Sequence, residues 1–145
     1  MSDPLETALR SLPHGAEFRF IDKLTRLVPG KSGAGEYLVR GDEPFLKGHF
    51  PGQPIFPGVL LVEGVAQLAG TIAQCDPEVL PLNDLKLTAI RAAKILGTAK
   101  PGEVIQYEAE ITGRMGNLVQ ARGSAFLAEQ TLLQTEVVLA GTVPG

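Results

Sequence analysis

The chain has 145 residues, 44% of them hydrophobic and 20% charged, which suits one compact domain with a buried core. Its net charge of −3 comes from mixed signs along the whole chain, so no basic stripe marks a nucleic-acid partner and no polybasic anchor marks an anionic membrane. A single cysteine, Cys75, excludes an internal disulfide and fits a reducing compartment, while two histidines and one cysteine without ligand spacing offer no metal cluster.

The N-terminal residues Met1 to Glu6 lack the basic start and apolar core of an export signal, so a cytoplasmic protein is expected. Asp3-Pro4-Leu5-Glu6 combines a cap, a proline in the first turn and a glutamate three residues after the cap, which predicts a short helix from Asp3 to Ser11, ending before Pro13. Strands are expected at Arg19–Val28 and Gly35–Arg40, separated by the turn signal Pro29-Gly30. Prolines 51, 54 and 57 then fix φ and remove backbone donors, so that segment runs as a stiff extended connection.

From Val59 to Ala73 the only polar side chains are Glu63, Gln67 and Thr71, so a helix there is apolar almost all round and belongs inside the fold. Pro57, Glu63 and Gln67 interrupt the run and argue against a membrane span. Cys75 reads as a small apolar residue near the helix end, since nothing cationic adjoins it in sequence. Asp76 to Asp84 reads as a loop. Strands follow at Leu85–Leu96, Val104–Arg114, Leu118–Ala128 and Leu132–Leu139, punctuated by Pro101-Gly102, Gly116-Asn117 and Glu129-Gln130. Four such strands predict an antiparallel meander whose apolar face covers the helix. Residues 141–145 read as a frayed tail of a single domain spanning 1–145.

The chemistry concentrates where the stiff connection meets the helix. Desolvation raises the pKa of a carboxyl group on an apolar helix, which makes Glu63 a candidate acid, and Gln67 lies one turn further along the same face, able to orient it. A polar stripe facing a wet loop would use the same spacing. His49 titrates near neutrality and opens the rigid segment, so it is the natural proton carrier. Pro57 suits a first helical turn, and the free amides at Gly58 form a partly positive anchor for an oxygen gaining negative charge.

The run from Gly48 to Gly70, with His49-Phe50-Pro51, Pro54-Ile55-Phe56-Pro57-Gly58-Val59-Leu60, Glu63 and Gln67, resembles the signature of bacterial (3R)-3-hydroxyacyl-acyl-carrier-protein dehydratases. Weaker similarities extend outwards through Leu12-Pro13-His14, Phe20-Ile21-Asp22, Asp42-Glu43-Pro44-Phe45 and Lys100-Pro101-Gly102-Glu103. The sequence departs from the family at Gly64, where alanine is usual, at Phe56, where methionine is common, and at Gly15-Ala16-Glu17, which replaces a more aromatic, basic run. The resemblance implies an α+β hotdog fold, a long central apolar helix wrapped by a curved antiparallel sheet. It also implies a homodimer, or three such pairs in a hexamer, with His49 of one subunit meeting Glu63 of the other.

The implied reaction is reversible removal of water from a (3R)-3-hydroxyacyl thioester, with His49 as base, protonated Glu63 as acid, Gly58 holding the carbonyl oxygen, and Phe50 and Gln67 in support. It calls for no cofactor, and it implies an acyl-carrier protein as partner and a place in fatty-acid-type lipid metabolism. Phe56, Val59, Val62, Ile90 and Ile95 are candidates to line an acyl tunnel, and equally suit a plain core. Arg91, Lys94, Lys100 and Arg114 could dock an acidic carrier, and equally suit ordinary solvated strand faces. Three alternatives remain: a hotdog thioesterase, which would use a helix carboxylate without needing the His49-Phe50-Pro51 segment, a dehydratase that also isomerises the double bond, whose subgroup typically carries aspartate at the Glu63 position, and a noncatalytic acyl-binding protein.

Overall fold

The computed structural model describes residues 4–10, 18–47 and 55–144. In chain order it contains α1 (Pro4–Leu9), β1 (Lys23–Val28), β2 (Ser32–Leu38), α2 (Pro44–Lys47), α3 (Gly58–Gln74), β3 (Asn83–Ile95), β4 (Val104–Met115), β5 (Leu118–Leu127) and β6 (Gln130–Thr142). The six strands form one antiparallel sheet in the order β1-β2-β4-β5-β6-β3. α3 packs against strands β2 to β6. This is the α+β arrangement expected, a central helix wrapped by an antiparallel sheet.

Burial explains why α3 is the centre. Eleven of its residues, from Leu61 to Ala73, are buried, and Leu61, Val65, Leu68 and Ile72 are wholly sealed from solvent. They meet the inward-facing side chains of the strands, including Tyr37, Ile105, Tyr107, Val119 and Leu139. Alternation supplies that inner face: β4 buries every second residue from Ile105 to Ala109, and β6 does so from Leu133 to Leu139.

Several turns follow directly from residue type. Pro29 and Gly30 turn β1 into β2, with Gly30 at φ 76° and the Lys31 N–H donating to the Val28 carbonyl, as a type II turn requires. Gly116 (φ 59°) and Asn117 join β4 to β5 through a two-residue hairpin loop. The β5–β6 loop is Ala128-Glu129, one residue earlier than the expected Glu129-Gln130, and it holds Ala128 at φ 48°.

The meander is corrected. β4, β5 and β6 do follow one another, but β3 pairs with β6 at the far edge rather than with β4. The link from Leu96 to Glu103 is too long for a tight hairpin, and it passes the start of α3, where the Phe56 N–H donates to the Ala99 carbonyl at 2.8 Å. Strand limits shift for local reasons as well. β1 starts at Lys23 because the Phe20 N–H is taken by the Gln67 side chain at 2.9 Å. β2 starts early, at Ser32, because Gly33 lets it pass close over Ile72.

The four-residue helix α2 was not foreseen; it starts after Glu43, whose carbonyl accepts from the Leu46 N–H at 3.0 Å. β6 continues through Gly141 and Thr142, so those two residues belong to the sheet and not to a frayed tail. Asn117 brackets Gly141 with two hydrogen bonds, and a side chain at Gly141 would collide with the Asn83 carbonyl.

Candidate active site

Glu63 lies in the second turn of α3, half-buried, with its carboxylate accepting a long 3.4 Å hydrogen bond from Gln67. Gln67 is itself buried and fixed at both ends. Its oxygen accepts from the Phe20 N–H at 2.9 Å, and its nitrogen donates to the Phe18 carbonyl at 2.8 Å. The amide is therefore locked in orientation by backbone groups, and it presents an N–H to Glu63 as the helical spacing leads one to expect.

Pro57 is the residue immediately before α3, in extended conformation at φ −60° and ψ 133°, one position earlier than a first-turn proline. Gly58 is thus the first helical residue, and its N–H has no acceptor within the helix. Ile95 of β3 packs so close that a side chain at Gly58 would approach it to 2.8 Å. Five residues separate Gly58 from Glu63, an axial rise of about 7.5 Å. His49 and Phe50 lie outside the described residues.

A cleft of about 450 Å³ opens beside Glu63 and runs along α3 past Gln67 and Gly70 to Gln74, walled on the sheet side by Leu85 and Leu139. The five tunnel candidates do not gather there. Phe56 is fully buried in an aromatic cluster with Phe20, Tyr37 and Phe45, and Val62 is core. Val59, Ile90 and Ile95 are exposed on the isolated chain.

The docking candidates divide. Arg91 and Lys94 are exposed on β3, and Lys100 is exposed in the β3–β4 link. Arg114 serves the fold instead: its guanidinium donates to the Ala73 carbonyl at 3.0 Å and the Leu80 carbonyl at 3.4 Å. α3 has no basic residue in its last turn, and Arg114 supplies the missing positive charge at the negative end of the helix. A larger hollow of about 710 Å³ lies against β4, β5 and β6, where Lys94, Glu108 and Glu136 are grouped and Arg122 pairs with Glu110. It contains none of the catalytic candidates.

One buried charge escaped sequence reasoning. The Glu43 carboxylate accepts from the Tyr37 hydroxyl at 2.7 Å, the Arg40 N–H at 3.1 Å and the Gly41 N–H at 2.6 Å. Burial pushes its pKa up, but these donors outweigh burial and hold the carboxyl below its ordinary value. Burial and the bond to Glu43 push the Tyr37 phenol far up. Arg40 lies over the Tyr37 ring at 5.2 Å and pairs with Asp22 at 2.7 Å. The network fastens residues 38–43 immediately ahead of α2, which ends two residues before His49.

Because the native pKa of Glu43 is lowered, its stabilisation is complete above the ordinary carboxylate value of about 4.3 and is lost as pH falls through the native value. Glu43→Gln should therefore cost about 1–3 kcal/mol at neutral pH, since an amide turns a donor toward backbone N–H groups. The variant should also lose less stability than wild type between about pH 5 and pH 3. Thermal melts across that range check both; parallel acid profiles would show that Glu43 is not the group responsible.

Fold and site together define a helix-in-sheet protein with an acidic side chain lining a cleft beside its central helix. The chain belongs to the FabA-like domain family, which matches residues 12–136. Among curated proteins it is similar to the 3-hydroxyacyl-[acyl-carrier-protein] dehydratase FabZ of Chloroflexus aggregans, 32% identical over 97% of this chain and 96% of that one. The protein of the same name from Alkaliphilus metalliredigens is 36% identical over 89% of this chain and 87% of the relative. Among solved structures, a chain of the dehydratase heterocomplex ApeI:P from Xenorhabdus doucetiae superposes with a TM-score of 0.78 at 14% identity, covering 99% of this chain and 93% of that one. That likeness speaks for the fold. No helix among the described residues is long and apolar enough to cross a membrane.

Proposed function

We propose that this protein is a hydro-lyase that reversibly dehydrates (3R)-3-hydroxyacyl thioesters carried on an acyl-carrier protein, giving trans-2-enoyl thioesters in fatty-acid-type synthesis in the cytoplasm. The observation that carries the reading is the match over nearly the whole chain to relatives bearing that dehydratase name, together with Glu63, held by Gln67 in the lining of a cleft. Neutral His49 removes a proton from the carbon beside the thioester carbonyl. Negative charge moves to the carbonyl oxygen, and the Gly58 N–H stabilises it. The Glu63 carboxyl group gives a proton to the departing β-hydroxyl, which leaves as water. The proton held by His49 and the one missing from Glu63 are exchanged with solvent before the next turnover. The thioesterase and the noncatalytic readings lose ground to the relatives' names, and glutamate rather than aspartate at position 63 speaks against the isomerising subgroup.

The assembly in this proposal is a homodimer, alone or as three pairs. β3 is a 13-residue edge strand with Ile90 and Ile95 about half exposed, a surface that pairing with a second copy would cover. Arg91, Lys94 and Lys100 remain the proposed carrier contacts. Ultraviolet detection of enoyl formation, with carrier-bound (3R)-3-hydroxyacyl substrates supplied to the purified protein, tests the reaction. Release of free thiol without enoyl product would favour a thioesterase, and binding without turnover would leave only an acyl-binding protein.

A further inference from the structure

We infer that Phe18 is a positioning residue for the acid of the reaction: its ring holds in place the peptide groups that clamp Gln67, and Gln67 aims the Glu63 carboxyl group. The inference rests on the dehydratase reading above. Gln67 is buried on α3, and both ends of its amide are taken by one short stretch of main chain, the nitrogen donating to the Phe18 carbonyl at 2.8 Å and the oxygen accepting from the Phe20 N–H at 2.9 Å. A carbonyl at one residue and an N–H two residues on, facing the same way, are what an extended strand offers to a neighbour. Here the Gln67 side chain takes the neighbour's place. The clamp admits one orientation only, because an amide turned over would set oxygen against carbonyl and nitrogen against N–H and lose both bonds. The same nitrogen donates to the Glu63 carboxylate at 3.4 Å, so one orientation of the amide aims one carboxyl group.

Aromatic packing is what keeps the clamp in place. Residues 18–20 lie ahead of β1, outside its ladder with β2. The Phe20 ring is fully buried and meets the edges or faces of Phe45 at 5.6 Å and Phe56 at 5.8 Å. Phe18 closes on Phe20 from the outside, its ring tilted edge-on at 4.8 Å, and is itself 44% exposed. A ring so open to solvent adds little to the core, so its removal should loosen the clamp without unfolding the chain. Residue 18 would then be free to turn its carbonyl away from α3, and Gln67 would lose the bond that fixes its nitrogen.

The test measures kcat and KM on a carrier-bound (3R)-3-hydroxyacyl substrate, well below each melting temperature, for wild type, Phe18→Ala, Phe18→Tyr, Gln67→Met and Phe18→Ala combined with Gln67→Met. Phe18→Ala should lose about tenfold in kcat with KM within about twofold, because the acid is misaimed while the contacts to the thioester remain. Phe18→Tyr keeps the ring and should keep kcat within about twofold of wild type. Gln67→Met, close in shape but without an amide, should lose at least as much as Phe18→Ala. The combined variant should lose no more than Gln67→Met alone, since Phe18 then has nothing left to hold. Phe18→Ala at wild-type kcat, a change confined to KM, or losses that multiply in the combined variant would each overturn the role of Phe18 while leaving the dehydratase reading intact. Wild type that forms no enoyl product would overturn that reading, and this inference with it.

Discussion

Glu63→Gln should fold as wild type does and lose about 10²–10⁴-fold in dehydration, the usual worth of a positioned acid or base. The substitution keeps the shape and removes only the transferable proton. Its neighbour Gln67 is fixed by Phe18 and Phe20, so the geometry of the site survives the change. His49→Ala should lose a similar factor by removing the base, again with the melting temperature preserved. A drop in kcat with KM nearly unchanged would mark each group as acting in the transition state. If either variant turns over hydroxyacyl thioesters like wild type, the role assigned to that residue is wrong.

The second large effect is on stability. At Gly64 a methyl group would lie 2.5 Å from the ring and hydroxyl of Tyr107, and Tyr107 is fully buried. Neither a helix backbone nor a sealed ring yields easily, so Gly64→Ala should cost about 1–3 kcal/mol through overpacking, partly offset by the better helix propensity of alanine. The melting temperature should fall by roughly 3–10 °C. Tyr107→Leu, which withdraws the ring, should restore most of the loss when combined with Gly64→Ala, and thermal melts of the two single variants and the double variant give the coupling directly.

The same pair accounts for the departure at position 64, where the resembled family usually has alanine. Glycine makes room for a large side chain arriving from β4. The Tyr107 hydroxyl has no hydrogen-bond partner among the described residues, and burial pushes its pKa far up, so it stays neutral. Additive losses from the two single variants would show that the two positions do not share the space.

The legible part of the fold was whatever depended on local chemistry. An apolar run interrupted only by Glu63, Gln67 and Thr71 could be nothing but the central helix. Pro29-Gly30 and Gly116-Asn117 named their turns because positive φ falls on glycine. The position of β3 was not legible, since strand order depends on where the eight-residue link from Leu96 to Glu103 travels, and that path is set by packing around the start of α3. The site divides along the same line. Glu63 and Gln67 were visible as a polar pair one helical turn apart. Phe56 and Val62 satisfy an apolar pattern equally well as core, and the structure buries both. Arg114 looked like a surface cation until its position beneath the carbonyls of α3 gave it another task. Glu43 carried too weak a local signal, because it is significant only through donors brought to it by the fold.

The most direct test of the central claim, that His49 and Glu63 act together on one bound molecule contributed to by two subunits, is to mix the two dead variants. In the proposed dimer, subunits of His49→Ala and Glu63→Gln, unfolded and refolded together or co-expressed, would form mixed pairs in which one of the two sites has both an intact imidazole and an intact carboxyl. Enoyl formation should return to about one-quarter of the wild-type rate, because half the pairs are mixed and half of their sites are whole. A mixture that pairs normally yet stays as inactive as its parents would contradict the account.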